Sequence, residues 1–246
     1  MGVNQFTDLT AEEFAARLRL EVPKVLTNLT SKTHVHEHKA KTHHHHKSSG
    51  NPNVKSSKKI EKIPDYVNWH EQGAVLDPPD QQTCGSCWAF TTAATMDALS
   101  VISGKFEKPP GFSMQQLLDC DTGNDGCDGG WMYKAYDYTR THGMMLDKDY
   151  PYTVSANHSK CKYNETQTIF NNVGMVQEKN MANDDLKALV AKQPIGVGIF
   201  TSTNFQFYKT GVLTEEFLEC SDPKNDVNHG VTVIGYGLTK GDDTMS

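Results

Sequence analysis

The spacing of hydrophobic positions changes near residue 143. Before it, apolar residues recur at helical intervals, and after it they occur in short continuous runs. Near the N-terminus, Thr10 and Glu13 form a predicted capping box, and Phe14 and Leu18 follow at a spacing of one helical turn. This short amphipathic helix cannot bury its apolar face alone, so we expect it to dock on another surface.

Three further helices are predicted before residue 143. The first begins at Cys87, and its small side chains allow neighbours to pack closely against it. The second follows a capping pair formed by Ser113 and Gln116. The third covers 130–141 and is closed by Gly143.

The second half of the chain has a β-rich pattern. Loops follow residue 143, one helix contains Leu186, and the apolar runs 195–200 and 231–234 predict strands. A helical half followed by a β-rich half is typical of an α+β fold.

Residues 21–62 have a different composition from the rest of the chain. They contain seven histidines between His34 and His46 and nine lysines, with few large apolar residues. This composition predicts a disordered spacer, although histidine-rich tracts also bind zinc or nickel. A histidine-rich metal carrier is therefore a weaker hypothesis for the whole protein, which a zinc titration would test.

Charge is unevenly distributed, and this excludes one class of partner. The net charge is -6, but 21–62 carry nine lysines and three acids, whereas 63–246 carry 13 basic and 24 acidic residues. An acidic body lacks the basic face that phosphate contacts require, so we expect no nucleic acid partner. No apolar run of about 18 residues predicts a membrane span, and the first 20 residues lack the apolar core of a signal peptide.

Cysteines and glycosylation sequons indicate an oxidising, secretory environment. The chain has six cysteines, few for a disulfide scaffold but clustered in one half of the sequence. Asn-X-Ser/Thr triplets occur at Asn28, Asn157 and Asn164.

The segment from Cys84 to Cys87 allows several kinds of chemistry. A redox dithiol is disfavoured because a polar loop precedes it, and a zinc site is disfavoured by the wide spacing of Cys120 and Cys127. Two structural cysteines remain an alternative to one structural cysteine beside one nucleophile. The nucleophile hypothesis is coherent because a helix start favours a thiolate, and Gln81 offers an amide N–H for an oxyanion.

Four ordered segments together resemble the papain-like cysteine proteases of the cathepsin L type. They are 81–90 around the Cys-Gly-Ser-Cys-Trp run, 126–130, 228–231 and 235–237. His229 follows Cys87 by 142 residues, a separation that suits this family. The resemblance implies a two-lobed fold, with a helical left lobe, a β-barrel-like right lobe and an active-site cleft between them.

The resemblance also implies a reaction. Cys87 would be the nucleophile, His229 its base, and Gln81 would form an oxyanion hole with the Cys87 backbone N–H. The protein would then be a cysteine-type endopeptidase that forms an acyl-enzyme on polypeptide substrates, with no cofactor and no metal.

Further residues gain roles from the same resemblance. Substrate would bind at Gly129, Gly130, Trp131, Met132, Gly198, Val227, Asn228 and Gly230. The pocket for the substrate residue two positions before the cleaved bond would accept a large apolar side chain. Disulfides would join Cys84 to Cys127 and Cys120 to Cys161, and Cys220 would pair with a cysteine beyond this chain. Asn157 and Asn164 are the expected glycosylation sites.

Domain organisation is inferred in the same way. Residues 1–20 resemble the end of an inhibitory propeptide, 21–62 form the linker, and 63–246 form the peptidase domain, which we expect to be truncated, as is the propeptide. The missing Asn-Ser-Trp-Gly block would supply the Asn that orients His229. The expected protein is a monomeric zymogen of the lysosome, the vacuole or the secreted fraction, inhibited by its own propeptide and by cystatin-like proteins. The alternative is a truncated, inactive fragment or an inhibitor-like binding protein.

Overall fold

The structure is a computed structural model that describes residues 9, 10, 13, 14, 62–179, 181–219 and 227–238. All of these except Lys62 belong to one unit of the chain. Residues 21–61 of the predicted linker and Cys220 therefore lie outside the described residues.

A long buried helix, α1 (Cys87–Ile102), forms the centre of the helical half. Its buried positions occur on all sides, because small and hydroxyl-bearing residues let neighbours approach closely. The hydroxyl groups of Thr92 and Thr95 are satisfied inside the helix, since they donate to the carbonyls of Trp88 (2.8 Å) and Thr91 (3.0 Å). The helix ends at Ile102, and Gly104 then adopts a positive φ of 73°.

Helix α2 (Met114–Cys120) packs on α1 and begins with half of the predicted capping box. The Ser113 hydroxyl accepts a hydrogen bond from the Gln116 N–H at 2.9 Å. The Gln116 side chain does not return to Ser113; it accepts from the Met145 N–H (2.7 Å) and donates to the Gly143 carbonyl (2.9 Å). Tertiary contacts therefore replace the second half of the box.

Helix α3 (Met132–His142) also packs on α1 and starts two residues later than predicted. Gly143 closes it with a φ of 71°, and its N–H donates to the Thr139 carbonyl. A Cβ at Gly143 would lie 2.9 Å from the Phe170 carbonyl oxygen, so the turn needs glycine for both conformation and space.

The N-terminal capping box forms completely. The Thr10 N–H donates to the Glu13 carboxylate (2.8 Å), and the Glu13 N–H donates to the Thr10 hydroxyl (3.2 Å). Phe14 is buried, with 4% of its surface exposed, and the Gln206 amide donates to the Leu9 carbonyl at 2.5 Å. This segment therefore docks on the remainder of the unit, as its amphipathic pattern predicts.

Two antiparallel sheets of two strands each occur among the described residues. Strand β1 (Val67–Asn68) pairs with β4 (Gly235–Tyr236), and β2 (Ile195–Ile199) pairs with β3 (His229–Val233). Helix α4 (Asn183–Val190) precedes β2, and helix α5 (Glu215–Leu218) lies between β2 and β3 in the chain. The α+β class is confirmed, but these strands form no closed barrel.

Burial is concentrated around α1. The core contains large side chains from α1, α2, α3 and the loops that adjoin these helices, namely Trp88, Met96, Phe112, Leu117, Leu118, Met132, Tyr138 and Met144. Residues of β2 and β3 are mostly half-buried, and β3 lies against α1. The helical half thus contains most of the core, and β3 packs on it. No described helix has the length and apolar character needed to cross a membrane.

Candidate active site

Cys87 is the first residue of α1, and among the described cysteines it is the one outside a disulfide. Its sulfur is hydrogen-bonded by the backbone of Gly230, of Trp88 and of Cys87 itself. The Ser86 hydroxyl does not cap the helix; it lies 3.3 Å from the Cys84 carbonyl and 3.0 Å from the Tyr152 hydroxyl. The first N–H groups of α1 are therefore directed at the sulfur.

Ionisation of the Cys87 thiol is opposed by its surroundings. Burial raises its pKa to about 11, and the three backbone hydrogen bonds only partly lower it. Only 1% of the residue is exposed. A helix start alone therefore does not make this thiol a thiolate, because desolvation outweighs the N–H groups.

Two disulfides join the other four described cysteines. Cys84 is bonded to Cys127, and Cys120 is bonded to Cys161, with Cα separations of 4.7 and 4.9 Å. These are the pairs that the family resemblance implies. Because Cys84 is bonded to Cys127, it cannot form a redox dithiol with Cys87.

The disulfide of Cys84 is reinforced by hydrogen bonds between the same two segments. The Gly85 N–H donates to the Cys127 carbonyl at 2.9 Å, and the Trp88 indole N–H donates to the Gly126 carbonyl at 3.1 Å. The 126–130 loop is thereby held against the start of α1.

Gln81 lies at the other end of the loop that leads to Cys87. Its side-chain amide donates to the Cys84 carbonyl at 3.0 Å, and its own carbonyl accepts from the Tyr152 hydroxyl at 2.7 Å. An amide nitrogen carries two hydrogens, so the first bond is compatible with a second one to an oxyanion. Gln82 follows with a φ of 55°, a left-handed conformation that is costly for a residue with a side chain.

His229 begins β3, which passes close to the start of α1. It pairs with Ile199 in the β2–β3 register, and the imidazole lies 6.4 Å from the Phe205 ring, centroid to centroid. A Cβ placed on the following residue, Gly230, would lie 3.2 Å from the Met132 sulfur and 3.6 Å from the Cys87 carbonyl carbon. Glycine at 230 therefore permits the approach that brings the His229 strand to the thiol.

Asn228, predicted to contact substrate, uses its side chain inside the fold. Its amide oxygen accepts from the Thr201 N–H (2.9 Å) and hydroxyl (3.1 Å), and its amide nitrogen donates to the Thr201 carbonyl (2.9 Å). Its backbone N–H donates to the Ile199 carbonyl. The side chain thus fixes the turn after β2 next to His229.

The predicted glycine wall precedes α3 and has little free space. A Cβ on Gly130 would lie 2.6 Å from the Asn124 amide oxygen and 2.8 Å from the Trp88 ring. Asn124 also accepts from the Trp131 N–H (2.7 Å) and donates to the Trp131 carbonyl (3.3 Å). Gly129 is buried with a φ of 125°. Asn124 holds this wall, although its sequence context carries no signal for that role.

The other predicted cleft residues belong to α3, to the β2–β3 pair and to the chain just before β3. Met132 is buried at the start of α3, and Gly198 of β2 faces Gly230 of β3 in the strand register. Val227 is 37% exposed. A cavity of about 300 Å³ lies elsewhere, between Phe207 and Phe217, and none of the predicted site residues lines it.

Both described sequons are on the surface. Asn157 and Asn164 are exposed, and the Asn164 side-chain oxygen accepts from the Thr166 N–H at 3.0 Å and from the Thr166 hydroxyl at 2.9 Å. Asn28 lies outside the described residues. Within the described part of the chain, no three His, Cys, Asp or Glu side chains are grouped as metal ligands would be.

Comparison with known proteins identifies the family. A model of the papain family of cysteine proteases matches residues 63–245. The chain belongs to this family. It is 34% identical over 247 residues to a cathepsin L-like proteinase of Fasciola hepatica, covering 99% of this chain and 67% of that protein. It is 37% identical over 187 residues to vignain of Vigna mungo, covering 74% of this chain and 48% of that protein.

A solved structure supports the assignment of this chain to the papain family. Digestive procathepsin L 3 from the larval midgut of Tenebrio molitor superposes with a TM-score of 0.74 at 29% identity, covering 98% of this chain and 68% of that one. The chain spans between about half and two thirds of the length of the curated relatives it matches.

Proposed function

We propose that this protein is the cysteine-type endopeptidase part of a papain-family zymogen, with Cys87 as its nucleophile. The observation that carries the proposal is a cysteine thiol outside any disulfide at the start of α1, hydrogen-bonded by the backbone of Gly230, the residue directly after His229. The contact between the Cys87 sulfur and the residue next to His229 supports a thiol and an imidazole that act together on one substrate peptide bond.

In the proposed reaction, His229 removes the proton of the Cys87 thiol, and the sulfur attacks the carbonyl carbon of a peptide bond. The carbon–nitrogen bond then breaks, and the imidazolium gives its proton to the leaving amine. Water, deprotonated by His229, attacks the thioester and releases the carboxylic acid together with the free thiol. Substrate polypeptide and water are the reactants, and the reaction as proposed uses no cofactor.

Negative charge on the carbonyl oxygen needs donors during both steps. We assign this role to the Gln81 side-chain amide and the Cys87 backbone N–H. The bond from the Gln81 amide to the Cys84 carbonyl supports this assignment, because it holds the amide beside the segment that begins α1. Removal of one such donor typically lowers kcat by about 10² to 10³.

Substrate is proposed to bind as an extended strand along Gly129 and Gly130. The pocket for the second residue before the cleaved bond would be lined by Trp131, Met132, Gly198, Val227 and Gly230, with Asn228 at its edge. Buried Met132 and the glycine pair of β2 and β3 support an apolar pocket with room for a large side chain. The Asn228 side chain is occupied by Thr201, so we assign its substrate contact to the backbone.

Pocket preference can be measured with matched peptides. We expect peptides with Leu or Phe two residues before the cleaved bond to have a kcat/KM at least about ten times that of the same peptide with Ala there. The reason is that each buried methylene adds to transition-state binding. Equal rates would contradict the pocket assignment but not the nucleophile.

The N-terminal segment is proposed to be part of an inhibitory propeptide. Burial of Phe14 and the hydrogen bond from Gln206 to the Leu9 carbonyl support a docked segment, and the match to a procathepsin supports a zymogen. We further propose a secreted or lysosomal/vacuolar monomer that cystatin-like proteins inhibit. Exposure of Asn157 and Asn164 is consistent with glycosylation there.

Covalent labelling is the direct test of the proposed function. An epoxide inhibitor of thiol proteases should label the peptide that contains Cys87, and Cys87→Ser should abolish both labelling and hydrolysis. Labelling that persists in this variant would move the nucleophile elsewhere. An unaltered chain that is neither labelled nor active would contradict the proposal.

One observation favours the alternative of an inactive binding protein. The Cys87 residue is 1% exposed, and its pKa is raised to about 11 by burial. A chain of this kind would bind papain-family substrates or propeptides without cleaving them. The same labelling experiment separates the two functions.

A further inference from the structure

The Tyr152 hydroxyl bridges the two ends of the loop that leads to the nucleophile. It donates to the Gln81 carbonyl at 2.7 Å, and it lies 3.0 Å from the Ser86 hydroxyl. A phenol has a single hydrogen, which the shorter bond directs to Gln81, so the one hydrogen of the Ser86 hydroxyl is shared between the Tyr152 oxygen and the Cys84 carbonyl at 3.3 Å. One side chain therefore contacts both the residue assigned to the oxyanion and the residue before Cys87.

The ring that carries this hydroxyl is held from several directions. Phe90, in the first turn of α1, packs edge to face against it at 5.0 Å between centroids. The chain on either side of Tyr152 is also held. Before it, the Tyr150 carbonyl accepts from the Ser113 hydroxyl at 2.6 Å, and after it, the Thr153 N–H donates to the Gln115 side chain at 2.8 Å. Tyr152 is therefore a fixed point attached to α1 and α2.

The loop that Tyr152 contacts needs an external support. Gln82 has a φ of 55°, and its N–H is held by the Asp80 carboxylate at 2.7 Å. A left-handed residue with a side chain persists only where its surroundings hold it. The Gln81 carbonyl is the point at which Tyr152 provides such a hold.

We propose that Tyr152 is a positioning residue that sets the distance between the Gln81 amide and the Cys87 backbone N–H. Both donors must reach the same oxygen during the reaction, and a misplacement of about 1 Å costs about 10²-fold in rate. Tyr152 ties one end of the loop to the other through a single oxygen atom. This inference rests on the proposed function, because it assigns a purpose to the oxyanion donors.

Tyr152→Phe is the test, because it removes the hydroxyl and keeps the ring packed on Phe90. We expect kcat to fall about ten-fold with KM nearly unchanged, and inhibition by a peptide aldehyde to weaken by a similar factor, since its adduct places an oxyanion between the two donors. Alkylation of Cys87 by iodoacetamide forms no oxyanion, so its rate should change less than about two-fold.

Tyr150→Phe is the matched control. Its hydroxyl donates to the Asp119 carboxylate at 2.8 Å, two residues along the same loop and away from Gln81. This variant also loses a buried tyrosine hydrogen bond, and its kcat and aldehyde inhibition should stay within about two-fold of the unaltered chain. An equal loss in both variants would assign the effect to general loosening and overturn the inference.

A double substitution separates positioning from structure. If Tyr152 acts through Gln81, then adding Tyr152→Phe to Gln81→Ala should change aldehyde inhibition no further. Additive losses, or equal losses in aldehyde inhibition and alkylation, would overturn the inference while leaving the proposed function intact. An unaltered chain that neither cleaves peptides nor alkylates at Cys87 would instead contradict the proposed function and, with it, the inference.

Discussion

The Cys87 thiol is subject to two opposing effects. Hydrogen bonds from the backbone of Gly230, Trp88 and Cys87 favour the thiolate, but burial raises the thiol pKa to about 11. A nucleophilic thiol at neutral pH therefore requires a further positive charge. The imidazolium of His229 is the group to which we assign that charge, and this assignment makes the pH dependence of alkylation informative.

His229→Ala should shift the alkylation of Cys87 to high pH. Burial and the backbone hydrogen bonds, which give a pKa of about 11, remain in this variant, and such a thiol is ionised in only about one molecule in 10⁴ at pH 7. Because the imidazolium that stabilises the thiolate is lost, we expect the variant to react with iodoacetamide at least about 100-fold more slowly than the unaltered chain. Its rate should rise with pH until about pH 11. His142→Ala is the control, because His142 stacks on Tyr138 at 4.4 Å, away from the thiol. Equal alkylation rates at pH 7 would contradict an ion pair with His229.

Two capping patterns that look alike in sequence behave differently in the fold. The pair Thr10 and Glu13 forms both reciprocal hydrogen bonds, whereas Ser113 and Gln116 form one. Gln116 is fully buried, and its side-chain oxygen accepts a hydrogen bond from the Met145 N–H in the loop after α3. The Ser113 cap was predictable because it involves residues three positions apart. The second partner of Gln116 was not, because it is contributed by tertiary packing.

Ser113→Ala should destabilise the protein measurably. Its buried hydroxyl accepts from the Gln116 N–H and donates to the Tyr150 carbonyl, so we expect a loss of about 1 to 2 kcal/mol in the free energy of unfolding. Thr214→Ala provides a matched control, since this exposed residue caps the four-residue helix α5. There we expect about 0.5 kcal/mol. Denaturant titration of both variants measures the difference, and equal losses would contradict the role of burial.

Burial is uneven over the molecule, and it places an acid in the core of the helical half. Asp97 on α1 accepts from the N–H groups of Gly111 (3.0 Å) and Phe112 (3.2 Å), which ties α1 to the chain before α2. Burial raises the Asp97 pKa to about 7 against the effect of these bonds, and the charge of Asp147 raises it further. The folded protein therefore binds a proton here that the unfolded chain releases at lower pH.

Asp97→Asn should change how stability depends on pH. In the unaltered chain, the contribution of Asp97 to the free energy of unfolding is greatest below about pH 4 and falls as pH rises to about 7, because the folded state holds its proton more tightly. Asparagine cannot titrate, so the stability of the variant relative to the unaltered chain should increase from pH 4 to 7 and then become constant. Urea unfolding at several pH values measures this, and parallel curves would contradict it.

Much of the candidate site could be expected from short segments. The run around Cys87, the glycines at 129 and 130, and the strand that begins at His229 are each recognisable over a few residues. The α+β class followed from the change in periodicity near residue 143. The pairing of the strands was not predictable in this way: the described strands form two separate two-stranded sheets and no closed barrel, because each strand finds its partner through tertiary packing.

By itself, the sequence determined the helix that begins at Cys87, the turn at Gly143 and the resemblance that joins Cys87 to His229, because these depend on neighbouring residues and short motifs. Only the tertiary structure decided the raised thiol pKa and the attachment of the Asn228 side chain to Thr201. The Tyr152 contact with Gln81 spans 71 positions. The physical reason is that desolvation and long-range hydrogen bonds depend on which groups pack together, and no local pattern specifies them.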